Sequence, residues 1–186
     1  MVSLKPSHKT KENSMTHQEL AKNIYNISHI RGDFLLRSGQ RSTEYFDKYR
    51  FESQPQILKE IARQMAPLIP ASTEILAALE MGGIPIGTAL SLETGLPCVF
   101  VRKSAKDYGT CQFAEGLSVE NKKLCIIEDV ITSGGQVLLS TNDLRQIGAQ
   151  VQHVLCVINR GGDAAKIKIE EVGLKLHSLF VRSDFP

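Results

Sequence analysis

The stretch LCIIEDVITSGGQ, residues 124–136, decides how this chain folds. LCII (124–127) is a short, wholly apolar run of the kind that forms a strand buried on both faces. It ends in two adjacent carboxylates, Glu128 and Asp129, followed by two β-branched residues, Val130 and Ile131. Thr132, Ser133, Gly134 and Gly135 then make a turn, and Gln136 opens an amphipathic helix, QVLLSTNDLRQIG (136–148), that closes on a glycine. Strand, glycine-containing loop and helix in this order present backbone N–H groups and a positive helix end to an anion. The hydroxyls of Thr132 and Ser133 add donors. Neither a G-x-x-x-x-G-K-[ST] nor a G-x-G-x-x-G pattern occurs, so this is a phosphate loop of another kind.

The same alternation continues on both sides. ILAAL (75–79), PCVFV (97–101), VQHVLCVI (151–158) and LKLHSLFV (174–181) read as strands. Helical segments lie between them: one after Gly82-Gly83 that closes at Gly95, and one around 163–172. Apolar strands joined by helices long enough to cross over predict an α/β fold, a mostly parallel sheet flanked by helices on both faces. In such sheets ligands collect at the carboxyl ends of the strands. Further upstream, T-H-Q-E (16–19) predicts a helix start in which Glu19 reaches back to the first-turn amides. A second helix is expected after Ser53, with Pro55 in its first turn, an apolar stripe of Ile57, Leu58, Ile61, Ala62 and Met65, and an end near Pro67. Residues 1–14 are polar, lysine-rich and aperiodic, which predicts a disordered leader ahead of a single domain over 15–186, with Met15 as a candidate start.

Composition narrows the possibilities. Of 186 residues, 42% are hydrophobic and 23% charged, ordinary for a globular domain, and no apolar run approaches a membrane span. The N-terminus lacks the apolar core of a secretory signal, so a cytoplasmic protein is expected. A formal charge of +2 gives no case for nucleic acid. Cys98, Cys111, Cys125 and Cys156 form no C-x-x-C pair and read as free thiols. Histidines 8, 17, 29, 153 and 177 share no ligand spacing, which leaves a zinc site or a Ser-His-Asp site without support.

Two acids beside a phosphate loop would repel the phosphate unless something separates them. A ribose does this, its vicinal hydroxyls donating to the carboxylates while its 5-phosphate sits in the turn. The alternative is a plain strand–loop–helix junction in which Asp129 acts as a cap. The whole segment resembles the motif by which type I phosphoribosyltransferases bind phosphoribosyl pyrophosphate (PRPP). That resemblance implies a parallel-sheet core, a flexible loop over the active site, and a smaller hood, here mainly residues 15–50 plus the C-terminal strand, that recognises the base. It assigns PRPP binding to Glu128, Asp129, Val130, Ile131, Thr132, Ser133, Gly134, Gly135 and Gln136.

A second segment sharpens the match. R-K-S-A-K-D-Y-G-T (102–110) places three cations within five residues, directly after a strand, with glycines at 109 and 116 as a mobile lid would have. By itself it also reads as a solvated charge run. Followed by E-G (115–116) and then I-I-E-D-V-I-T-S-G, it resembles orotate phosphoribosyltransferases in content and order. The resemblance implies that Arg102, Lys103 and Lys106 hold the pyrophosphate, that Lys106 is the catalytic lysine, and that Tyr108 is a further ligand. It also implies Mg²⁺ as cofactor and a homodimer whose active sites are shared.

GDFLLRSGQRSTEYF (32–46) resembles the family's hood segment. Arg37 would bind PRPP, and Tyr45 and Phe46 would lie against the base; the residues alone also fit an edge hairpin with two buried aromatics. Arg160, just past a strand, matches an arginine used against the orotate carboxylate, which a guanidinium can hold by two parallel hydrogen bonds. Thr132 is implied as a second orotate contact. Met81 and Gly82 fall at the family's other pyrophosphate loop, where backbone amides must serve. Two rivals remain: a transferase for another base such as a purine, and a protein that senses PRPP without catalysis.

Overall fold

The computed structural model describes residues 14–36, 39–104 and 112–185. Residues 1–13 of the expected leader, and Arg37, Lys106, Tyr108 and Cys111, lie outside the described residues. Each apolar run of the middle and C-terminal chain becomes a strand of one six-stranded sheet. These are β3 (Ile75–Leu79), β4 (Cys98–Val101), β5 (Ala114–Glu115), β6 (Lys123–Ile131), β7 (Gln150–Asn159) and β8 (Lys175–Val181). The order is β5-β4-β3-β6-β7-β8, parallel throughout except for the short β5, which runs antiparallel to β4. The parallel α/β architecture expected from the sequence is the one observed. A separate antiparallel hairpin pairs β1 (His29–Leu35) with β2 (Arg41–Phe46), inside the segment expected as the hood.

Helices cover both faces because each has one apolar side to bury. On one face α1 (His17–Ser28), α2 (Lys48–Glu52), α3 (Pro55–Met65) and α4 (Gly83–Thr94) enclose Leu20, Ile24, Phe51, Ile61, Leu76, Ile86 and Ile127. On the other, α5 (Gly135–Gln146) and α6 (Gly162–Glu170) pack Val137, Leu144 and Ile169 onto Ala77, Ile126 and Val154. The capping box opens α1 as expected: Glu19 N–H donates to Thr16 Oγ1 at 3.3 Å, and Thr16 N–H donates to Glu19 Oε2 at 2.8 Å. α3 begins at Pro55 and passes into a 3-10 turn that contains Pro67.

Three local departures from the sequence expectation matter for the site. First, β6 does not stop at Ile127 but runs to Ile131, because β7 continues alongside it and pairs Val130 with Ile158 and Ile131 with Asn159. Second, the segment after Phe46 folds into α2, whose start is capped by Asp47 Oδ1 accepting the Tyr49 amide at 3.2 Å. Five residues cannot hold a helix alone. The fully buried Phe51 ring anchors this one, a burial that stabilises by about 1.5–3 kcal/mol. Third, the C-terminal strand grouped with the hood is β8, the edge of the main sheet. The chain beyond it turns back toward the hood, with the Phe185 ring 6.4 Å from Phe46.

Candidate active site

The carboxyl ends of β6 and β7 carry the site. From β6 the chain passes through Thr132, Ser133 and Gly134 into α5, and Ser133 Oγ accepts the Gly135 amide at 3.5 Å. The start of α6 is drawn against this loop: the amides of Arg160 and Gly161 both donate to the Ile131 carbonyl, at 2.8 and 3.1 Å. Contact is so close that a Cβ on Gly161 would overlap the Thr132 carbonyl and lie 2.5 Å from Ala165 Cβ. Gly161 has φ −80° and ψ −7°, open to any residue, so it is space and not backbone freedom that requires glycine. A cleft of about 360 Å³ lies over the loop, lined by Glu128, Val130, Ile131 and residues 132–137. Thr132 belongs to this cleft.

β6 extends through both acids, and they stay in contact: Glu128 Oε1 accepts the Asp129 amide at 3.0 Å. Glu128 faces the loop cleft. Asp129 faces the α4 side, has no accessible surface, and meets Lys48 Nζ of α2 at 2.5 Å. Gly82 and Glu52 complete the enclosure: a Cβ on Gly82 would overlap the Asp129 carboxylate and lie 3.0 Å from Glu52 Oε1. The four ionisable groups divide their protons unequally. Burial, and then the neighbouring Asp129, push the Glu52 carboxyl up to about 9. The same two causes hold Glu128 well above the usual carboxylate range. For Asp129 burial works against ionisation, but Glu128, Glu52 and Lys48 together outweigh it and keep its carboxyl below the ordinary value. Burial likewise opposes the Lys48 charge, and Asp129 overcomes it, so the ammonium is held above its ordinary value. The cluster is an Asp129–Lys48 ion pair flanked by two carboxyls that burial and Asp129 hold above the usual carboxylate range.

Beside the loop, between the hood and the ends of β7 and β8, lies a second cavity of about 240 Å³. It gathers the aromatic Tyr45 and Phe46 from β2, Tyr25 and His29 at the α1–β1 junction, and Arg160 and Arg182. The Arg160 guanidinium stands over the Phe46 ring, 5.4 Å from its centroid. Burial and then the nearby Arg182 charge lower the Arg160 pKa, an arrangement that favours an anion between the two guanidiniums.

Elsewhere at the same end of the sheet, Met81 is 60% exposed in the turn between β3 and α4, and the Glu80–Met81 peptide is cis. Glu80 Oε1 accepts the Lys103 amide at 2.7 Å, so this turn holds the base of the basic loop. The Arg102 guanidinium pairs with Glu115 at 3.9 Å. Tyr45, Phe46 and Arg160 thus share one cavity and Glu128 with Val130 through Gln136 an adjoining one, while Asp129 is buried beneath it and Met81, Arg102 and Lys103 line neither.

Tyr25, His29, Lys48, Glu52 and Arg182 were not singled out from the sequence. A signal for Arg182 existed. Asn159 and Val181 are paired on neighbouring parallel strands, and each is followed by arginine, so the two cations stand side by side. Lys48 and Glu52 gave no such signal, since D-K-Y-R-F-E reads as a solvated charge run.

Residues 49–181 match the phosphoribosyl transferase domain family. Over 165 residues the chain is 46% identical to the orotate phosphoribosyltransferase of a Nocardioides species, covering 89% of this chain and 92% of that protein. It belongs to the orotate phosphoribosyltransferase family. The family member from Methanocella arvoryzae is 40% identical over 153 residues, 82% of this chain and 87% of that one. Among solved structures, the Mycobacterium tuberculosis orotate phosphoribosyltransferase in complex with Fe(III) dicitrate superposes with a TM-score of 0.81 at 29% identity, covering 90% and 97% of the two chains. The same family member in complex with 5-phospho-alpha-D-ribosyl 1-diphosphate gives 0.77 at 26% identity, with the same coverage. The fold is therefore that of the family, with the 132–135 turn leading from β6 into α5.

Proposed function

We propose that this chain transfers the phosphoribosyl group of PRPP to orotate, giving orotidine 5'-monophosphate and pyrophosphate in de novo pyrimidine synthesis. The observation that carries the reading is the pairing of two adjoining cavities. One is a phosphate loop with a carboxyl at its edge, and the other an aromatic chamber faced by two guanidiniums. A flat, aromatic, carboxylate-bearing base fits the second chamber and a sugar phosphate the first. In this reading Thr132, Ser133, Gly134, Gly135 and Gln136 surround the 5-phosphate, with Val130 and Ile131 bordering it, while Glu128 serves the ribose hydroxyls and the buried Asp129, expected from the resemblance to do the same, backs the cleft from beneath. Tyr45 and Phe46 lie against the ring, and Arg160 takes the carboxylate, with Thr132 beside it.

A ring nitrogen of orotate attacks the anomeric carbon, forming the C–N bond as the C–O bond breaks, and the electron pair leaves with pyrophosphate. The ring nitrogen gives up its proton to solvent. Positive charge grows on the sugar, as in glycoside chemistry, and the leaving group gathers negative charge. Arg102, Lys103 and Lys106 of the basic loop meet that charge, Lys106 as the catalytic lysine and Tyr108 as a further ligand. Arg37 and the amides of Met81 and Gly82 contribute at the pyrophosphate end. Mg²⁺, when bound with PRPP, neutralises the pyrophosphate oxygens. The donor set suits such a shared ion: Glu128 and the Thr132 and Ser133 hydroxyls are hard oxygens at the cleft, too few for an all-protein cage. Among the described residues no helix is long and apolar enough to cross a membrane. The family resemblance supports a cytoplasmic homodimer with shared active sites.

The test is direct. Purified protein with PRPP, Mg²⁺ and orotate should consume orotate, followed by its absorbance. Turnover of a purine base in its place would move the assignment to another base, and PRPP binding without turnover of any base would make the protein a sensor.

A further inference from the structure

Asp129 lies at the active-site end of β6, yet it is fully buried and held from behind by a helix some eighty positions earlier in the chain. Both its oxygens are engaged. Oδ1 accepts the amide of Val130, a residue that lines the phosphate-loop cleft, at 2.5 Å. Oδ2 meets Lys48 Nζ at 2.5 Å and shares its space with Glu52. Lys48 keeps a third of its side-chain surface accessible, and its ammonium lies 5.2 Å from the Tyr49 ring centroid. The turn that approaches Asp129 from the other side, Glu80-Met81-Gly82-Gly83, carries no lysine, and Gly82 has no side chain because the carboxylates fill the volume one would occupy.

Stability does not account for this arrangement. Replacing a buried ion pair by apolar residues of like volume is often neutral or favourable, whereas removing one partner is strongly unfavourable. A lysine and three carboxyls at the end of the strand that bears the phosphate loop are more simply explained by what they hold in place. We propose that Lys48 and Glu52 of α2 are positioning residues for PRPP. They fix the Asp129 carboxylate, and through it the Val130 backbone and the edge of the ribose–phosphate cleft, and Lys48 supplies the positive charge that the 80–83 turn lacks. This rests on the reading of the β6–α5 loop as the PRPP site.

The groups facing Asp129 can be named from every side. α2 brings Lys48, Glu52 and Tyr49, with Asp47 at its cap; β6 brings Glu128; β7 brings the Cys156 thiol; the turn before α4 brings only glycine. Ionised Asp129 with protonated Glu52 is the competent state. Raising the pH through about 9 ionises Glu52 beside Asp129 and loosens the cluster.

The experiment measures KM for PRPP and for orotate across pH in the parent protein, Lys48→Met and Glu52→Gln, with calorimetry of PRPP and Mg²⁺ in the absence of orotate. Lys48→Met should raise KM for PRPP roughly ten- to hundredfold, with KM for orotate within about twofold. Glu52→Gln, which mimics the protonated acid, should lose the parent's rise in PRPP KM above pH 9. An unchanged PRPP KM in Lys48→Met, or an equal rise for both substrates, overturns the proposal. If Lys48→Met does not fold, Lys48→Arg decides. It keeps the charge but not the compact head, so PRPP KM must rise severalfold with orotate unaffected, and an unchanged value overturns the proposal. An inactive parent protein would instead overturn the assignment to orotate transfer, whereas an active parent with an indifferent Lys48→Met overturns only the role of α2.

Discussion

Adding a single methyl group at Gly161 should damage PRPP use. The new Cβ would overlap the Thr132 carbonyl and stand 2.5 Å from Ala165 Cβ, where real Cβ contacts essentially never fall below 3.0 Å. Neither neighbour can yield as a flexible side chain would. One is backbone of the phosphate loop and the other a methyl group fixed on α6, itself tied to the Ile131 carbonyl through the amides of Arg160 and Gly161. Relief therefore requires the loop and the helix start to separate by about 1 Å. Overpacking of this kind costs about 1–3 kcal/mol of stability, and a displacement of ~1 Å at a binding loop can lower the reaction rate roughly a hundredfold. In a chain of this length 1–3 kcal/mol lowers Tm by roughly 2–12 °C. A melt followed by circular dichroism, with orotate absorbance at varied PRPP, reads both quantities, and a rise in PRPP KM should accompany the drop in Tm. A Gly161→Ala protein with parental Tm and parental PRPP KM would refute the close packing of α6 on the loop and the use of that loop for phosphate.

Other outcomes follow from the same geometry. Arg160→Met should raise orotate KM by about 10- to 150-fold, the worth of a hydrogen bond to a charged group, with PRPP KM little changed; Arg182→Met should do the same to a lesser degree. Competition by a neutral base analogue would be untouched in both, which calorimetry can check. The stability of the fold should decline as pH rises from about 5 to 9. Glu52 loses its proton near the ordinary 4.5 when unfolded but only at about 9 when folded, so the folded state holds the extra proton across that window. The Asp129 contribution disappears only below its ordinary 3.8, and that of Lys48 only above 10.5, both outside it. Glu52→Gln should make the Tm–pH slope shallower, with about 2–4 °C of the fall removed for each ~1 kcal/mol; an unchanged slope would mean that Glu52 is ionised in the fold. Lys106→Ala should lower turnover by orders of magnitude with Tm unaltered, and unchanged turnover would remove that lysine from the chemistry.

Much was legible in the residues because it depends on local chemistry. Apolar runs between amphipathic helices are buried as a covered parallel sheet, and T-S-G-G between a strand and a helix leaves its amides available to an anion. Glycine after a helix and a Thr–Glu pair before one fix where helices stop and start, as Gly95 and the Thr16 box show. The association of Tyr45, Phe46 and Arg160 came from the resemblance, since no periodicity joins residues more than a hundred positions apart.

What the sequence settled alone is the order of strands and helices and the chemical kinds present at each strand end, because side-chain polarity and backbone preference act over a few residues. Only the tertiary structure decided that β6 outlasts its apolar run, since the partner strand β7, not local hydrophobicity, determines how far a ladder extends. Packing then set Glu128 at the edge of a cleft and Asp129 against a lysine on α2, the two acids still in contact. Where a charged side chain goes is fixed by what surrounds it, and a distant helix is not written beside the residue it covers.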